Sequence, residues 1–189
     1  QVAPIEFRAR TAAPEPAPPS PIRSLAVVGR ALLPRNLEVD GSRVGGLSGI
    51  CWDEASGKFW AVSDDRGQYG PVRLFRIRVD VAAGPKDGAA GPTVSASVER
   101  ALPLTDLEGR PFAPGSIDPE GIAVVPGGFL VSTEAILHRG VPIVIGEFSQ
   151  DGRQTGQLRL PDALLPGKGH GGRDNLGFEG LALSPSGRY

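Results

Sequence analysis

Six acidic residues follow or precede short apolar runs in separate parts of the chain, where their side chains could converge. They are Asp64, Asp65, Asp118, Glu120, Glu134 and Glu179. Clustered carboxylates repel one another unless protons or a cation compensate their charge. Their hard oxygen atoms suit Ca²⁺ or Mg²⁺. The set therefore predicts a shared cation site, although each carboxylate could instead cap a turn or pair with an arginine such as Arg66, Arg139 or Arg173.

A second group of side chains could hold an anionic substrate. Its members are Arg43, Arg66, His138, Arg139, Lys168, His170 and Arg173. Arginine grips phosphate through two parallel hydrogen bonds, whereas lysine acts as a point charge. We predict that the substrate is bound by four of them: Arg66, Lys168, His170 and Arg173. The Gly-rich run 167–172 could wrap an anion with backbone N–H groups, or it could be a solvated loop. It lacks the spacing of a nucleotide-binding loop.

Other hydrolytic chemistries have little support in the sequence. There is no G-x-S-x-G nucleophile motif, no Arg-His-Gly run and no His/Cys cluster with zinc spacing. Cys51 is the only cysteine, so no disulfide can form within the chain. Cys51 lies in an apolar run, and we expect a buried core thiol. We expect Trp52, Phe59 and Trp60 to pack in the core or between blades and not to form a ligand platform.

The composition indicates an all-β domain that could carry these residues. The chain has 189 residues, with 27 glycines and 19 prolines, which favours short strands joined by turns. The net charge is -1, and no long basic run occurs, so neither nucleic acid nor an anionic membrane is an expected partner. No stretch of 18 apolar residues occurs, so no membrane span is expected. Residues 1–22 are rich in proline and alanine and predict a tail or linker, while residues 23–189 form the expected domain.

Alternating apolar residues and turn signals predict two hairpins and several further strands. A strand-like region opens with Leu25, Val27 and Leu32, and a bulge is expected between Leu74 and Phe75. The hairpins join 47–53 to 58–63 and 121–126 to 128–133. Further strands are predicted at 72–79, 94–98 and 143–148 and from Phe178 onward, with a single helical turn at 161–165.

An internal repeat relates three segments of the chain, 48–64, 120–134 and 179–189. Each has a small or acidic residue, a glycine and an aliphatic residue, and the first two continue through a Gly turn to Val-Ser and an acidic residue. The repeated glycines are Gly49, Gly121 and Gly180. In a β-propeller the innermost strand of each blade lines a central channel, where backbones crowd together and glycine is useful. The residues before these glycines, Ser48, Glu120 and Glu179, would then form a ring.

The same segments resemble a known family. The runs GGLSGICWDEASGKFWAVSDDRG (45–67), DPEGIAV (118–124), VSTE (131–134) and NLGFEGLALSPSGR (175–188) look like the phytase-like family named for the esterase-like activity of phytase. The resemblance implies a β-propeller, export from a bacterial cell, and hydrolysis of phosphate or ester substrates. In phytase-like propellers calcium in the channel binds substrate phosphate, so the resemblance also implies Ca²⁺ as cofactor.

Two expectations concern the extent of the chain. Family members continue beyond the position of Tyr189, so a second chain or copy could complete the propeller; a fragment, or a fold that closes differently, is the alternative. The chain begins at Gln1 and contains no methionine. This fits removal of a signal peptide, and thus export to the periplasm or the medium, and it also fits a trimmed chain.

Three functions stay open at this point. The first is an exported, metal-assisted phosphoester hydrolase with Glu120 and Glu179 as catalytic carboxylates. Its cation would be held by some of Asp64, Asp65, Glu120, Glu134 and Glu179. The second is a non-catalytic scaffold or binding propeller with a structural cation. The third is a calcium-dependent, lactonase-like hydrolase.

Overall fold

The protein is all-β. The computed structural model describes residues 23–84, 91–167, 171–174 and 177–184, and within these ranges there are ten strands, two 3-10 turns and no α-helix. The strands are β1 (Glu38–Val39), β2 (Ser42–Arg43), β3 (Leu47–Asp53), β4 (Lys58–Ser63), β5 (Arg73–Ala82), β6 (Thr93–Pro103), β7 (Pro119–Val125), β8 (Gly128–Thr133), β9 (Ile145–Ser149) and β10 (Gln154–Gln157). The 3-10 turns are Leu137–Arg139 and Asp162–Leu164. No helix in these ranges has the length and apolar character needed to cross a membrane.

The first sheet is an antiparallel meander in the order β3-β4-β5-β6. The predicted hairpin β3–β4 is confirmed at both strands, and Asp53 holds its turn because its carboxylate accepts bonds from the Ala55 N–H and the Ser56 hydroxyl. The register of β5 and β6 shifts between Arg76 and Ile77. The irregularity therefore lies two residues beyond the predicted position.

The second sheet repeats this plan in the order β10-β9-β8-β7, again with every neighbour antiparallel. The β7–β8 hairpin turns through Gly127, whose φ of +89° suits glycine. Both of these sheets are four-stranded meanders whose first strand lies on one edge, which is the plan of a propeller blade, while β1 and β2 form a separate two-stranded sheet. The two sheets are consistent with a partial β-propeller, as the sequence predicts.

One apolar core lies between the two sheets. Trp60 and Val62 of β4 pack with Leu74 on one side and with Phe129 and Val131 of β8 on the other, and all five are buried. The Trp60 and Phe129 rings meet edge to face, with centroids 5.0 Å apart. Burial of large side chains from both sheets in one cluster ties the sheets together.

The opposite face of the first sheet packs against the segment that precedes it. Phe75 and Ile77 lie in a second core cluster, against which Leu33 and Leu37 pack. The predicted strand at Leu25, Val27 and Leu32 is wrong: these residues lie outside any strand and are 84–94% exposed. Leu33 is the first residue of this segment that packs against the second core cluster.

The first strands of the two sheets lie side by side through the repeated glycines. A Cβ on Gly49 would come within 2.6 Å of the Glu120 carbonyl oxygen, and one on Gly121 within 2.8 Å of the Leu181 N atom. Gly49 and Gly121 therefore each let the next repeat segment approach, whereas a Cβ on Gly180 would meet nothing within 4 Å. Residues 177–184 contain no regular strand, so the strand predicted from Phe178 is not present there.

Candidate functional site

Three buried carboxylates converge at one end of the β7–β8 hairpin. Asp118 precedes β7, Glu120 lies within it, and Glu134 follows β8. Their nearest ligand oxygens all lie within 4.8 Å of one another. The residues are 0%, 8% and 2% exposed, respectively. The Glu134 N–H donates to the Asp118 carbonyl at 2.8 Å, so pairing of the two strands continues into the cluster and fixes its width. We call Asp118, Glu120 and Glu134 the acidic cluster.

Asp118 is held by an arginine from the first sheet's β4–β5 loop. Arg66 Nε donates to Asp118 Oδ1 at 2.8 Å, and its terminal nitrogen lies 2.7 Å from Oδ2. The pair combines one charge-assisted hydrogen bond with one ion-pair contact, and such a hydrogen bond is stronger than a neutral one. Arg66 has a φ of +55°, an uncommon backbone conformation for a residue with a side chain. Arg66 therefore adopts a strained backbone conformation at the position where its side chain binds Asp118.

The other two carboxylates have different partners. The Ser48 hydroxyl, at the start of β3, donates to Glu120 Oε2 at 2.6 Å, across the contact between the sheets. The Gly177 N–H donates to Glu134 Oε1 at 2.6 Å. Three separate segments therefore converge on the cluster, each through one polar group. The repeat predicts that Ser48 and Glu120 lie close together, and the hydrogen bond between them agrees with that prediction.

Burial and like charge disfavour ionisation of the cluster. Burial raises the pKa of Glu120 from 4.5 to about 7, against the opposing hydrogen bond from Ser48, and the charges of Asp118, Asp64 and Glu134 add to the rise. Burial also raises the pKa of Asp118, although the hydrogen bonds and charge of Arg66 oppose it. Because one arginine faces several carboxylates, the ionised cluster retains an excess of negative charge.

Glu179, the third position of the predicted ring, lies at the rim of the cluster and is exposed. The charge of Glu134 raises the pKa of Glu179, with burial and a hydrogen bond to Glu134 acting in the same direction. The structure thus places both members of the predicted catalytic pair, Glu120 and Glu179, near Glu134. One is buried in the cluster and the other is open to solvent.

Asp64 and Asp65, adjacent in sequence, have different surroundings. Asp64 is exposed, its N–H donates to the Gly46 carbonyl at 2.8 Å, and its charge acts on both Asp118 and Glu120. Asp65 forms an ion pair of 2.7 Å with Arg73, and their side chains are 8% and 1% exposed. Of these two predicted ligands, Asp64 is the one that borders the cluster, while Asp65 is engaged in the protein interior.

The predicted substrate-binding residues differ in their position relative to the acidic cluster. Arg66 is bonded to Asp118. Arg173 is exposed and precedes Asp174, which bridges to Ala135. The segment that carries Arg173 therefore runs beside the chain just after the cluster. Lys168 and His170 lie outside the described residues.

Asp118 belonged to the acidic set but not to the predicted ligands, and it is nevertheless a full member of the cluster. Strand alternation does not identify it, because Asp118 precedes β7 and the register of that strand shifts between Pro119 and Gly121. The repeat does indicate the contact between Ser48 and Glu120, since each of these residues precedes a repeated glycine.

Comparison with known proteins follows the same segments. A family model described as "Phytase-like: Esterase-like activity of phytase" matches residues 42–189. The match spans both sheets and every residue of the acidic cluster. No curated protein and no solved structure matches the chain.

Proposed function

The chain belongs to the phytase-like family with esterase-like activity, and from this we propose that it is a metal-assisted hydrolase of a phosphoester or ester. The family match indicates a hydrolase-like function. The observation that carries the finer proposal is the convergence of three buried carboxylates in the acidic cluster. We also propose Ca²⁺ as the cation and export as the destination, both on the family resemblance.

The residues of the cluster fit a divalent cation. Carboxylate oxygens are the donors that Ca²⁺ and Mg²⁺ prefer. Burying three carboxylates with a single arginine costs free energy, as the raised pKa values of Asp118 and Glu120 indicate. A divalent cation would offset that cost. Asp118, Glu120 and Glu134 would hold it, with Asp64 and Glu179 at the rim, and when bound it would polarise a phosphoryl or carbonyl oxygen of the substrate.

The residues around the acidic cluster hold its carboxylates in fixed orientations. The Ser48 hydroxyl donates to one oxygen of Glu120, and the Gly177 N–H donates to one oxygen of Glu134, and these bonds set the orientation of both carboxylates. Arg66 fixes the plane of the Asp118 carboxylate. Preset orientations of this kind reduce the reorganisation needed when a ligand binds.

We assign proton transfer to Glu179. It is exposed, it lies beside Glu134, and its raised pKa makes its carboxylate a better proton acceptor than an ordinary glutamate. In this role Glu179 would take a proton from the attacking water, whose oxygen bonds to the phosphorus or carbonyl carbon while the bond to the leaving alcohol breaks, and that proton would then pass to the oxygen of the alcohol. Glu120 is buried, so we assign it to holding the cation.

The test combines a cation and a panel of substrates. The wild-type protein would be stripped with a chelator, reloaded with Ca²⁺ or Mg²⁺, and assayed on a phosphomonoester, a phosphodiester, a carboxylic ester and a lactone. The site variant is Glu120→Gln with Glu134→Gln. The matched control is Asp80→Asn with Glu108→Gln, which makes the same change of charge at exposed positions.

We expect hydrolysis that is lost with the chelator, restored by the cation, lost in the site variant and retained in the control. Hydrolysis that persists in the chelated protein or in the site variant would refute the mechanism. A protein that binds Ca²⁺ but turns over no member of the panel would instead favour the scaffold alternative, and turnover of the lactone alone would favour the lactonase-like one. For export, we expect the native protein in the periplasmic or extracellular fraction, and a cytoplasmic location would contradict it.

A further inference from the structure

A cavity with a volume of about 550 Å³ lies next to the acidic cluster, and the residues that line it carry an excess of positive charge. It is lined by residues of segments 35–46 and 64–73. Its charged lining residues are Arg35, Arg43, Arg66, Arg73, Asp64 and Asp65. Four arginines against two aspartates give this wall a positive excess, although the whole chain has a net charge of -1.

The arginines of the wall fall into two kinds. Arg73 is buried and paired with Asp65, and Arg66 is paired with Asp118. By contrast, among the residues that the structure describes, neither Arg35 nor Arg43 has an acidic partner. Both are exposed, so the uncompensated charge is available to a ligand.

One of these two arginines is held in place by an aromatic ring. The Arg43 guanidinium lies 5.6 Å from the centroid of the Tyr69 ring, within the range of a cation–π contact. The Arg43 carbonyl also accepts a hydrogen bond of 2.8 Å from the buried Arg73. Side chain and backbone are thus both anchored, which lowers the entropy that a bound ligand would have to remove.

The cavity and the cluster share residues. Arg66 lines the cavity and is bonded to Asp118. Asp64 also lines it, and its charge acts on Asp118 and Glu120. A small molecule could therefore contact the cavity wall with one group while another group lies at the cluster.

We propose that Arg35 and Arg43, with Tyr69 as a support, form a binding site for an oxyanion such as a phosphate group. Guanidinium groups match the geometry of phosphate oxygens and stay charged at any ordinary pH. In a substrate, this site holds an anionic group while the bond to be hydrolysed lies at the acidic cluster. That assignment to a substrate rests on the proposed function, whereas binding of phosphate itself does not require a cation in the cluster.

The test is a calorimetric titration with inorganic phosphate in a buffer of low ionic strength that contains a chelator. It compares the wild-type protein with Arg35→Gln Arg43→Gln. The matched control is Arg100→Gln Arg159→Gln, which makes the same change of charge at exposed positions outside this cavity. Thermal melts of both variants establish that they fold.

We expect the site variant to bind phosphate at least tenfold more weakly than the wild type, and the control to stay within about twofold, because two charge-assisted contacts are lost in one protein and none in the other. A tenfold loss corresponds to about 1.4 kcal/mol. If wild-type protein does not bind phosphate, or if both variants lose it equally, the proposal is overturned.

A parallel titration with Ca²⁺ separates this proposal from the proposed function. If phosphate binding depends on Arg35 and Arg43 while Ca²⁺ does not bind, the anion site stands and the metal-assisted mechanism fails. If Ca²⁺-dependent hydrolysis is present while the double arginine variant binds phosphate like the wild type, the anion site fails and the mechanism stands.

Discussion

Replacing Glu120 with glutamine is expected to stabilise the protein at neutral pH when no cation is present. Because burial raises the pKa of Glu120 from 4.5 to about 7, the folded state holds a proton there more tightly than the unfolded state does. The stability that this proton contributes is fully present below pH 4.5 and is lost as the pH rises through about 7. Glutamine stays neutral, and its amide oxygen can still accept the hydrogen bond from Ser48.

The magnitude follows from the difference between the two pKa values. At 1.36 kcal/mol for each pKa unit, the rise from 4.5 to about 7 corresponds to at most about 3 kcal/mol. For a chain of this size that free energy is equivalent to roughly 6–12 °C in Tm. Asp118 and Glu179 also have raised pKa values, so the variant keeps part of the decline in stability with pH. The quantity to compare is therefore the difference in the free energy of unfolding between wild type and Glu120→Gln at each pH.

The assay is urea denaturation of wild type and Glu120→Gln at pH 5, 6, 7 and 8 with a chelator present. We expect nearly equal stability at pH 5 and a gap in favour of the variant that widens to pH 8. A variant that is no more stable than wild type at pH 8, or a gap that does not change with pH, would show that the reasoning is wrong. Glu108→Gln, at an exposed position, serves as the control and should show no such gap.

The same experiment with Ca²⁺ adds a second comparison. A cation that binds only the folded wild type at 100 times its Kd adds about 2.7 kcal/mol to the free energy of unfolding. Saturating Ca²⁺ should therefore close most of the gap at pH 8, because the variant has lost one of the ligands. If the gap is unchanged by Ca²⁺, Glu120 does not take part in a cation site.

Three further predictions test the packing and the contacts around the site. Gly121→Ala should lower the free energy of unfolding by about 1–3 kcal/mol in denaturant melts, because its Cβ would lie within 2.9 Å of neighbouring backbone, whereas Gly91→Ala, which meets open space, should have little effect. Asp65→Asn should cost about 3–5 kcal/mol by the same measurement, because it leaves the charge of Arg73 buried and unpaired; a loss below 1 kcal/mol would contradict this. Ser48→Ala should weaken Ca²⁺ binding about 10–100-fold in a titration, equivalent to one lost hydrogen bond to a charged group, and Ser48→Thr should restore part of it; equal affinities would remove this serine from the site.

The strands could be predicted where the chain itself specifies their partners. The two hairpins have a short turn between two apolar runs, so pairing is local and the sequence pattern determines it. The region of Leu25 and Val27 has the same apolar residues but no neighbouring strand, and it remains exposed. Apolar alternation predicts what a segment can do, whereas burial depends on a surface supplied by distant residues.

The sequence also predicts some features of the candidate site and leaves others undetermined. The repeat placed Ser48, Glu120 and Glu179 in one region because each precedes a glycine at a contact between segments. The choice between cation ligand and ion-pair partner could not be made for Asp64 and Asp65, since they are adjacent in sequence and only the buried Arg73 distinguishes them. Asp65 and Arg73 lie near the two ends of the one loop that joins β4 to β5, and their pairing depends on how that loop folds, which the alternation of apolar and polar residues does not encode.

The origin of the cluster in one hairpin has a consequence for the order of folding. Asp118, Glu120 and Glu134 come together as soon as β7 pairs with β8, since a short loop joins these strands and closing it costs little entropy. Arg66 and Ser48 come from the other sheet and arrive only when the two sheets dock. The nascent hairpin therefore gathers its negative charge before the compensating groups are in place. If a divalent cation occupies the acidic cluster, as we propose, its presence while the protein folds would relieve that early repulsion, so the same ion would act as a folding aid.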